Sequence, residues 1–182
     1  MLLEKEKSCL LLVDVQEKLT PYVIKPDALV TRCQWLMRLA KTLNVPLLIS
    51  EQYPQGLGHT VTALKEWMVS GKCIDKVHFS SYREPAFVKH WQDINKTQAI
   101  IAGIETHVCV LQTAMEMNDA GIDVFIVVDA VSSRYELDHK YGLKRMKTQG
   151  IHLITAEMVF FEWVRQAGTA QFKALSQSFL RS

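Results

Sequence analysis

No apolar run in the chain is longer than Cys9 to Val13, far too short to span a bilayer. Charge of one sign is equally scarce: 21 Lys and Arg stand against 19 Asp and Glu, and a net charge of +2 offers little attraction for nucleic acid or an anionic membrane. The four cysteines, Cys9, Cys33, Cys73 and Cys109, include no Cys-x-x-Cys pair, and no secretory leader is expected before them. A cytoplasmic, reducing location is therefore expected rather than a disulfide framework. Internal repeats and low-complexity tracts are missing too. What remains is an ordinary globular composition, 48% hydrophobic and 22% charged, on 182 residues. That length suits one core, and residues 1–182 are read as a single domain.

The apolar pattern alternates between short continuous runs and amphipathic stretches. Ser8 to Val15 reads as a central strand with Asp14 at its carboxyl end. A loop with two prolines follows, and Asp27 opens a helix whose Leu29, Val30, Cys33, Leu36, Met37 and Ala40 share a face, ending at Asn44. Val45–Ser50 is a second strand, and Glu51 to His59 a loop shaped by proline and glycines. A helix over Thr60–Val69, a short strand within Cys73–Tyr82 and a helix from Pro85 through Trp91 come next. Gln98–Gly103 is a strand feeding a helix from Thr106 to Asp119. Ile122–Val128 is a strand ending in Asp129, Leu137–Gln149 a helix, and Ile151–Ile154 a last strand before helices from Ala156 and after Gly168. Strands joined by helical crossovers predict a doubly wound α/β sandwich, a mostly parallel sheet of five or six strands with helices on both faces.

Ligands of such sheets bind beyond the carboxyl ends of the strands, where strand order reverses. Asp14, Glu51 and the turn from Gly103 to Cys109 all lie at such ends, and the first strand is expected beside the fourth, so Asp14 faces Cys109. If Thr106 caps its helix, Cys109 falls in the first turn, where free N–H groups and the helix dipole favour a thiolate. A carboxylate beside a thiol can take its proton, and an ammonium beside both steadies the anions that form. Lys76, in an otherwise apolar and aromatic segment, is the candidate ammonium.

Three stretches, Leu12-Val13-Asp14-Val15-Gln16, Lys76-Val77-His78-Phe79-Ser80-Ser81-Tyr82 and Gly103-Ile104-Glu105-Thr106-His107-Val108-Cys109-Val110, resemble in order and spacing the signatures of the isochorismatase-like cysteine hydrolases. The resemblance covers nearly the whole chain, and Glu51 to Thr60 looks most like the isochorismatase-domain-containing branch. It implies a catalytic triad of Asp14, Lys76 and Cys109 and a cis peptide at Ile104-Glu105. That peptide would direct the backbone N–H groups of Glu105 and Cys109 at one point as an oxyanion hole. It also implies a small-molecule substrate and assembly into dimers or larger closed homo-oligomers. Gln52, Tyr53 and Tyr82, on loops leaving neighbouring strand ends, are candidate substrate-binding residues.

The chain also departs from relatives. Nicotinamidases of this family hold a metal through an Asp-x-His pattern and a later histidine, whereas here Glu51-Gln52-Tyr53 is followed by His59 alone. A lone histidine does not make a tight metal site, so His59 is read as structural, and neither a metal nor a cofactor is expected. His78, His107, His139 and His152 have no ligand-like spacing. Gly56-Leu57-Gly58 lacks the later glycine and the placement of a dinucleotide fingerprint. The expected activity is hydrolysis of an amide-like C–N or related carbonyl-centred bond through a thioester. Two alternatives stay open: vinyl ether cleavage with Asp14 as acid and no covalent adduct, and a catalytically silent oligomeric binding or scaffold protein.

Overall fold

The computed structural model describes residues 1–68 and 71–180. Ser8–Val13 (β1), Leu47–Gln52 (β2), Gly71–Lys76 (β3), Gln98–Ile104 (β4), Asp123–Ser132 (β5) and His152–Ile154 (β6) form one parallel sheet in the order β3-β2-β1-β4-β5-β6. Strand order reverses between β1 and β4, the switch point that the alternating pattern predicts. Both central strands are buried on both faces along their whole length, which is why each reads as a continuous apolar run.

Alternate residues of the strands feed two cores. Leu10, Leu12, Ile100 and Phe125 pack under Pro26–Thr42 (α1), Ala156–Val164 (α7) and Ala170–Phe179 (α8), where Trp35 meets Phe160 and Phe179. Cys9, Leu11, Val13, Ile101 and Ile126 pack under Pro85–Ile94 (α4), Leu111–Asp119 (α5) and Glu136–Thr148 (α6), against Phe87, Trp91, Met117 and Met146. The face predicted for α1 is buried apart from Val30, which is half-buried.

Several boundaries differ from the sequence pattern. β1 stops at Val13 because Asp14 turns to φ 53°, a left-handed backbone that ends the ladder. The segment read as a loop from Glu51 to His59 gives Glu51 and Gln52 to β2, so Gln52 sits on a strand end and not on a loop, and its remainder contains a helical turn, Pro54–Leu57 (α2), started by its proline. The helix expected over Thr60–Val69 is confined to Thr62–Lys65 (α3) among the described residues, and Val69 lies outside them. β5 runs on through Asp129 to Ser132, with a register shift in which Ile101 pairs with Ile126 but Gly103 with Val131. Asp129 is thereby turned outward to pair with Arg32 at 3.1 Å and to accept the Ala156 N–H at 2.8 Å. That outward turn is why an acid in mid-strand looked like a strand end.

Candidate active site

Three strand ends on one edge of the sheet deliver the polar groups. Asp14 follows β1 and Lys76 ends β3, with β2 between them, and Cys109 follows β4 in a π-helical turn, Thr106–Val110. Gly103 lets the two central strands close up at this edge. It sits at φ 120°, and a Cβ placed on it would lie 2.0 Å from the Val13 carbonyl oxygen, so a side chain is excluded twice over. The Ile104-Glu105 peptide is cis.

The Lys76 ammonium lies 2.8 Å from Asp14 Oδ2, and both side chains are fully buried. Asp14 Oδ1 accepts the Ser50 hydroxyl at 2.7 Å. Oδ2 is differently placed: despite the short distance it accepts no aligned hydrogen bond. Lys76 Nζ has three aligned acceptors besides, Gln52 Oε1 at 2.5 Å, the Phe79 carbonyl at 2.9 Å and the His78 carbonyl at 3.2 Å. Burial pushes the Asp14 carboxyl above its ordinary value of 3.8 against the opposing pull of Lys76, Ser50 and Cys109.

Cys109 is 7% exposed, with Sγ 3.9 Å from Gln52 Oε1. Burial and then the Asp14 charge push its thiol up to about 12, with Lys76 opposing them. Desolvation and the neighbouring carboxylate thus work against the thiolate that the helix start favours. The capping assignment for Thr106 also fails. Glu105 occupies the cap position without a side-chain bond, while Thr106 Oγ1 pairs with His139 Nδ1 at 2.9 Å.

Each residue from 105 to 107 is tied by its side chain to the far side of β5. Glu105 Oε2 accepts the Arg134 backbone N–H at 3.0 Å and its Nε at 3.2 Å. Thr106 meets His139 as above, and His107 Nδ1 meets the Ser133 hydroxyl at 3.0 Å. Gly142 of α6 lets the helix ride on this turn, since a Cβ there would come 3.1 Å from His107 Cα. Ser50, Ser133 and Arg134 were not singled out from the sequence, and His139 was weighed there only as a metal ligand. All four lie on other elements than the groups they hold, and none carries a local motif.

Of the candidate substrate-binding residues, Gln52 reaches both Lys76 and Cys109. Its backbone N–H and carbonyl are bound by the buried Gln16 side chain at 2.6 and 3.0 Å, and Gln16 Nε2 also reaches the Gly58 carbonyl at 2.6 Å. Tyr53 is 55% exposed and borders a small cavity of about 170 Å³ with Lys76, Val77 and Glu84. The Tyr82 ring packs edge-on against Phe87 at 6.4 Å. His59 serves a structural end, with Nδ1 2.8 Å from Glu51 Oε2. Among the described residues Glu51, Cys73 and Asp75 bring ligand-type atoms within 4.8 Å of one another. Both Glu51 oxygens are already engaged, by the Thr60 N–H and hydroxyl and by His59, so this trio does not carry a metal-site assignment.

A six-stranded parallel sheet with acid, ammonium and thiol gathered at its switch point places the chain among the three-layer α/β proteins with a polar site on the carboxyl edge. The isochorismatase domain model matches residues 8–158, and the chain belongs to the isochorismatase family, sharing its hydrolase fold. It is 36% identical over 173 residues to mouse isochorismatase domain-containing protein 2A, covering 94% of this chain and 82% of that one. It is 35% identical to isochorismatase family protein 1B of Dictyostelium discoideum, covering 93% and 84%. Among solved structures, the MAR1 ribonuclease of Caenorhabditis elegans superposes with a TM-score of 0.93 at 34% identity, covering 100% and 94% of the two chains. The YcaC gene product of Escherichia coli, described as an octameric hydrolase of unknown specificity, gives 0.91 at 30% identity over 99% and 91%. YcaC from Pseudomonas aeruginosa, solved with hexane-2,5-diol and covalent acrylamide, gives 0.91 at 28% identity over 98% and 92%. Among the described residues no helix is long and apolar enough to cross a membrane.

Proposed function

We propose that the protein is a cysteine hydrolase of an amide-like C–N or related carbonyl-centred bond in a small molecule, acting through a thioester on Cys109. The observation that carries this reading is a buried carboxylate oxygen, Asp14 Oδ2, that accepts no aligned hydrogen bond beside a neutral, buried thiol. Asp14 takes the thiol proton as Sγ attacks the carbonyl carbon, so the thiolate forms only in the presence of substrate. Lys76 supplies fixed positive charge that keeps Asp14 ionised against its burial. The backbone N–H groups of Glu105 and Cys109 receive the oxyanion, and the Glu105 N–H donates to no other group among the described residues. Asp14 then passes the proton to the leaving nitrogen, and afterwards draws a proton from the water that cleaves the thioester. Gln52 and Tyr53 border the substrate.

The covalent acrylamide on the Pseudomonas relative supports a nucleophile in this fold that adds to neutral electrophiles. The octameric Escherichia coli relative supports assembly of this chain into a homo-oligomer. The test is ammonia release from a panel of primary amides, carbamates and N-carbamoyl compounds, with Cys109→Ser as control. Turnover that survives in Cys109→Ser overturns the mechanism. RNA included in the panel separates this reading from the activity named for the nematode relative.

A further inference from the structure

We infer that Gln52 is a positioning residue that draws a Lys76 N–H away from Asp14, leaving Oδ2 open for the Cys109 proton. The inference rests on the hydrolase reading above and gives Gln52 a part in it beyond contact with substrate. An ammonium has three N–H bonds, and Lys76 Nζ has three aligned acceptors competing with Asp14 for them, Gln52 Oε1, the Phe79 carbonyl and the His78 carbonyl. Asp14 Oδ2 is 2.8 Å from Nζ and still receives none of them in line. The two carbonyls belong to the backbone following β3, whereas the Gln52 acceptor is a side chain, so Gln52 is the partner whose chemistry can vary.

Gln52 is itself fixed at both ends. Gln16 binds its backbone N–H and carbonyl, and Gln52 Nε2 donates to the Val77 carbonyl at 2.9 Å. With Nε2 committed, Oε1 has to face Lys76. The arrangement separates two properties that a direct hydrogen bond would mix. Lys76 keeps its charge close to Asp14, which holds the carboxylate ionised, but does not occupy the lone pairs that must accept a proton.

Acrylamide reads this directly. As Sγ gives its electron pair to the terminal alkene carbon, the π pair moves to the α-carbon, which takes up the proton that Asp14 removed from the thiol. The rate of Cys109 adduct formation is measured against pH in the full-length protein. The titratable groups around Asp14 are Lys76 on β3, Cys109 in the nucleophile turn and, farther off, Cys73 on β3; the two thiols are raised to about 12, so the acid limb of the profile belongs to Asp14. Gln52→Met keeps length but removes the strong acceptor, so a Lys76 N–H turns to Oδ2. The plateau rate is then expected to fall about tenfold while the acid limb moves down by about one pH unit, the mark of a carboxylate made a weaker base. In a Lys76→Met background, Gln52→Met is expected to leave the acid limb unmoved, since the contact it acts through is gone.

A plateau that is unchanged or raised in Gln52→Met, or an acid limb that stays in place, overturns the inference. If Gln52→Met does not fold, Gln52→Glu tests the same contact with opposite sign. A carboxylate there keeps the acceptor, draws the ammonium from Asp14 and moves the acid limb up, and a limb at or below that of the unaltered protein overturns the inference. Asp14→Asn separates the two levels of argument. Adduct formation that survives Asp14→Asn removes the hydrolase reading and this inference with it, whereas loss in Asp14→Asn beside an unmoved Gln52→Met profile removes this inference alone.

Discussion

Cys109 carries the largest expected consequence of any single side chain. Cys109→Ser replaces a thiol with a hydroxyl that Asp14 can hardly deprotonate, so turnover is expected to fall by several orders of magnitude with the melting temperature nearly unchanged. Iodoacetamide mapped by mass spectrometry is expected to label Cys109 ahead of the others. All four thiols are pushed up to about 12, and Cys109 differs in having the Lys76 ammonium beside it to oppose that rise and Asp14 Oδ2 to take its proton. Uniform labelling would contradict the assignment. Lys76→Met leaves Asp14 buried without its counter-charge, at a cost of about 3–5 kcal/mol in denaturant titration. The pH dependence follows from the direction of the Asp14 shift. A carboxyl raised above 3.8 in the folded state binds its proton more tightly there than in the unfolded chain, so it favours folding at low pH and ceases to do so as pH rises through the folded value. The Lys76→Met deficit is therefore expected to be smaller near pH 4 than at pH 7.

At the scale of elements, the nucleophile turn packs against α6, and the end of β4 that feeds it packs against β1. Gly103→Ala drives a Cβ into the Val13 backbone and forces a left-handed φ on an L-residue, so a loss of ~3 kcal/mol or more, or failure to fold, is expected. Gly142→Ala differs in kind. Alanine favours a helix by about 1 kcal/mol over glycine, yet its methyl would crowd His107 at 3.1 to 3.3 Å. The expected outcome is a melting point close to the original with slower acrylamide addition at Cys109, and equal rates would show that α6 does not set the turn. His139 links the same helix to Thr106, and burial lowers its pKa below 6.5. A histidine lowered by folding stabilises fully above its unfolded value and loses that contribution as pH falls through the folded one. His139→Gln is therefore expected to flatten the acid side of the stability profile below about pH 6.5.

For the whole molecule, homo-oligomerisation is the reading that reaches beyond one chain, and Val77 and Phe79 stand exposed on the segment that lends its carbonyls to Lys76. Light scattering is expected to give a mass several times that of one chain, and a monomer at micromolar concentration would count against the assembly. The sheet itself was legible in advance. Strands buried on both faces tend to be continuous apolar runs, so β1 and β4 announce themselves, as β2 does over Leu47–Ile49 before its buried Ser50, Glu51 and Gln52, and the alternation of such runs with amphipathic helices implies parallel order and a switch point. That Asp14, Lys76 and Cys109 meet at one edge of the sheet was legible because acid, ammonium and thiol at strand ends are chemistry-bearing types in uncommon places, and because three spaced motifs resemble those of a family.

Other features were decided by tertiary contact. The helical turn at α2 and the extension of β5 depend on partners distant in sequence, so no local period marks them. Whether Cys109 rests as thiol or thiolate was not a property of its helix position, since burial and the charge of Asp14, ninety-odd residues earlier in the chain, reverse what the helix start favours. The direction of each Lys76 N–H likewise depends on where β2 and the backbone after β3 place their oxygens. Sequence determines which residues are buried together, because burial follows from side-chain apolarity and period. Protonation and hydrogen-bond direction follow from distances of a few ångströms between elements, and those exist only once the sheet has closed.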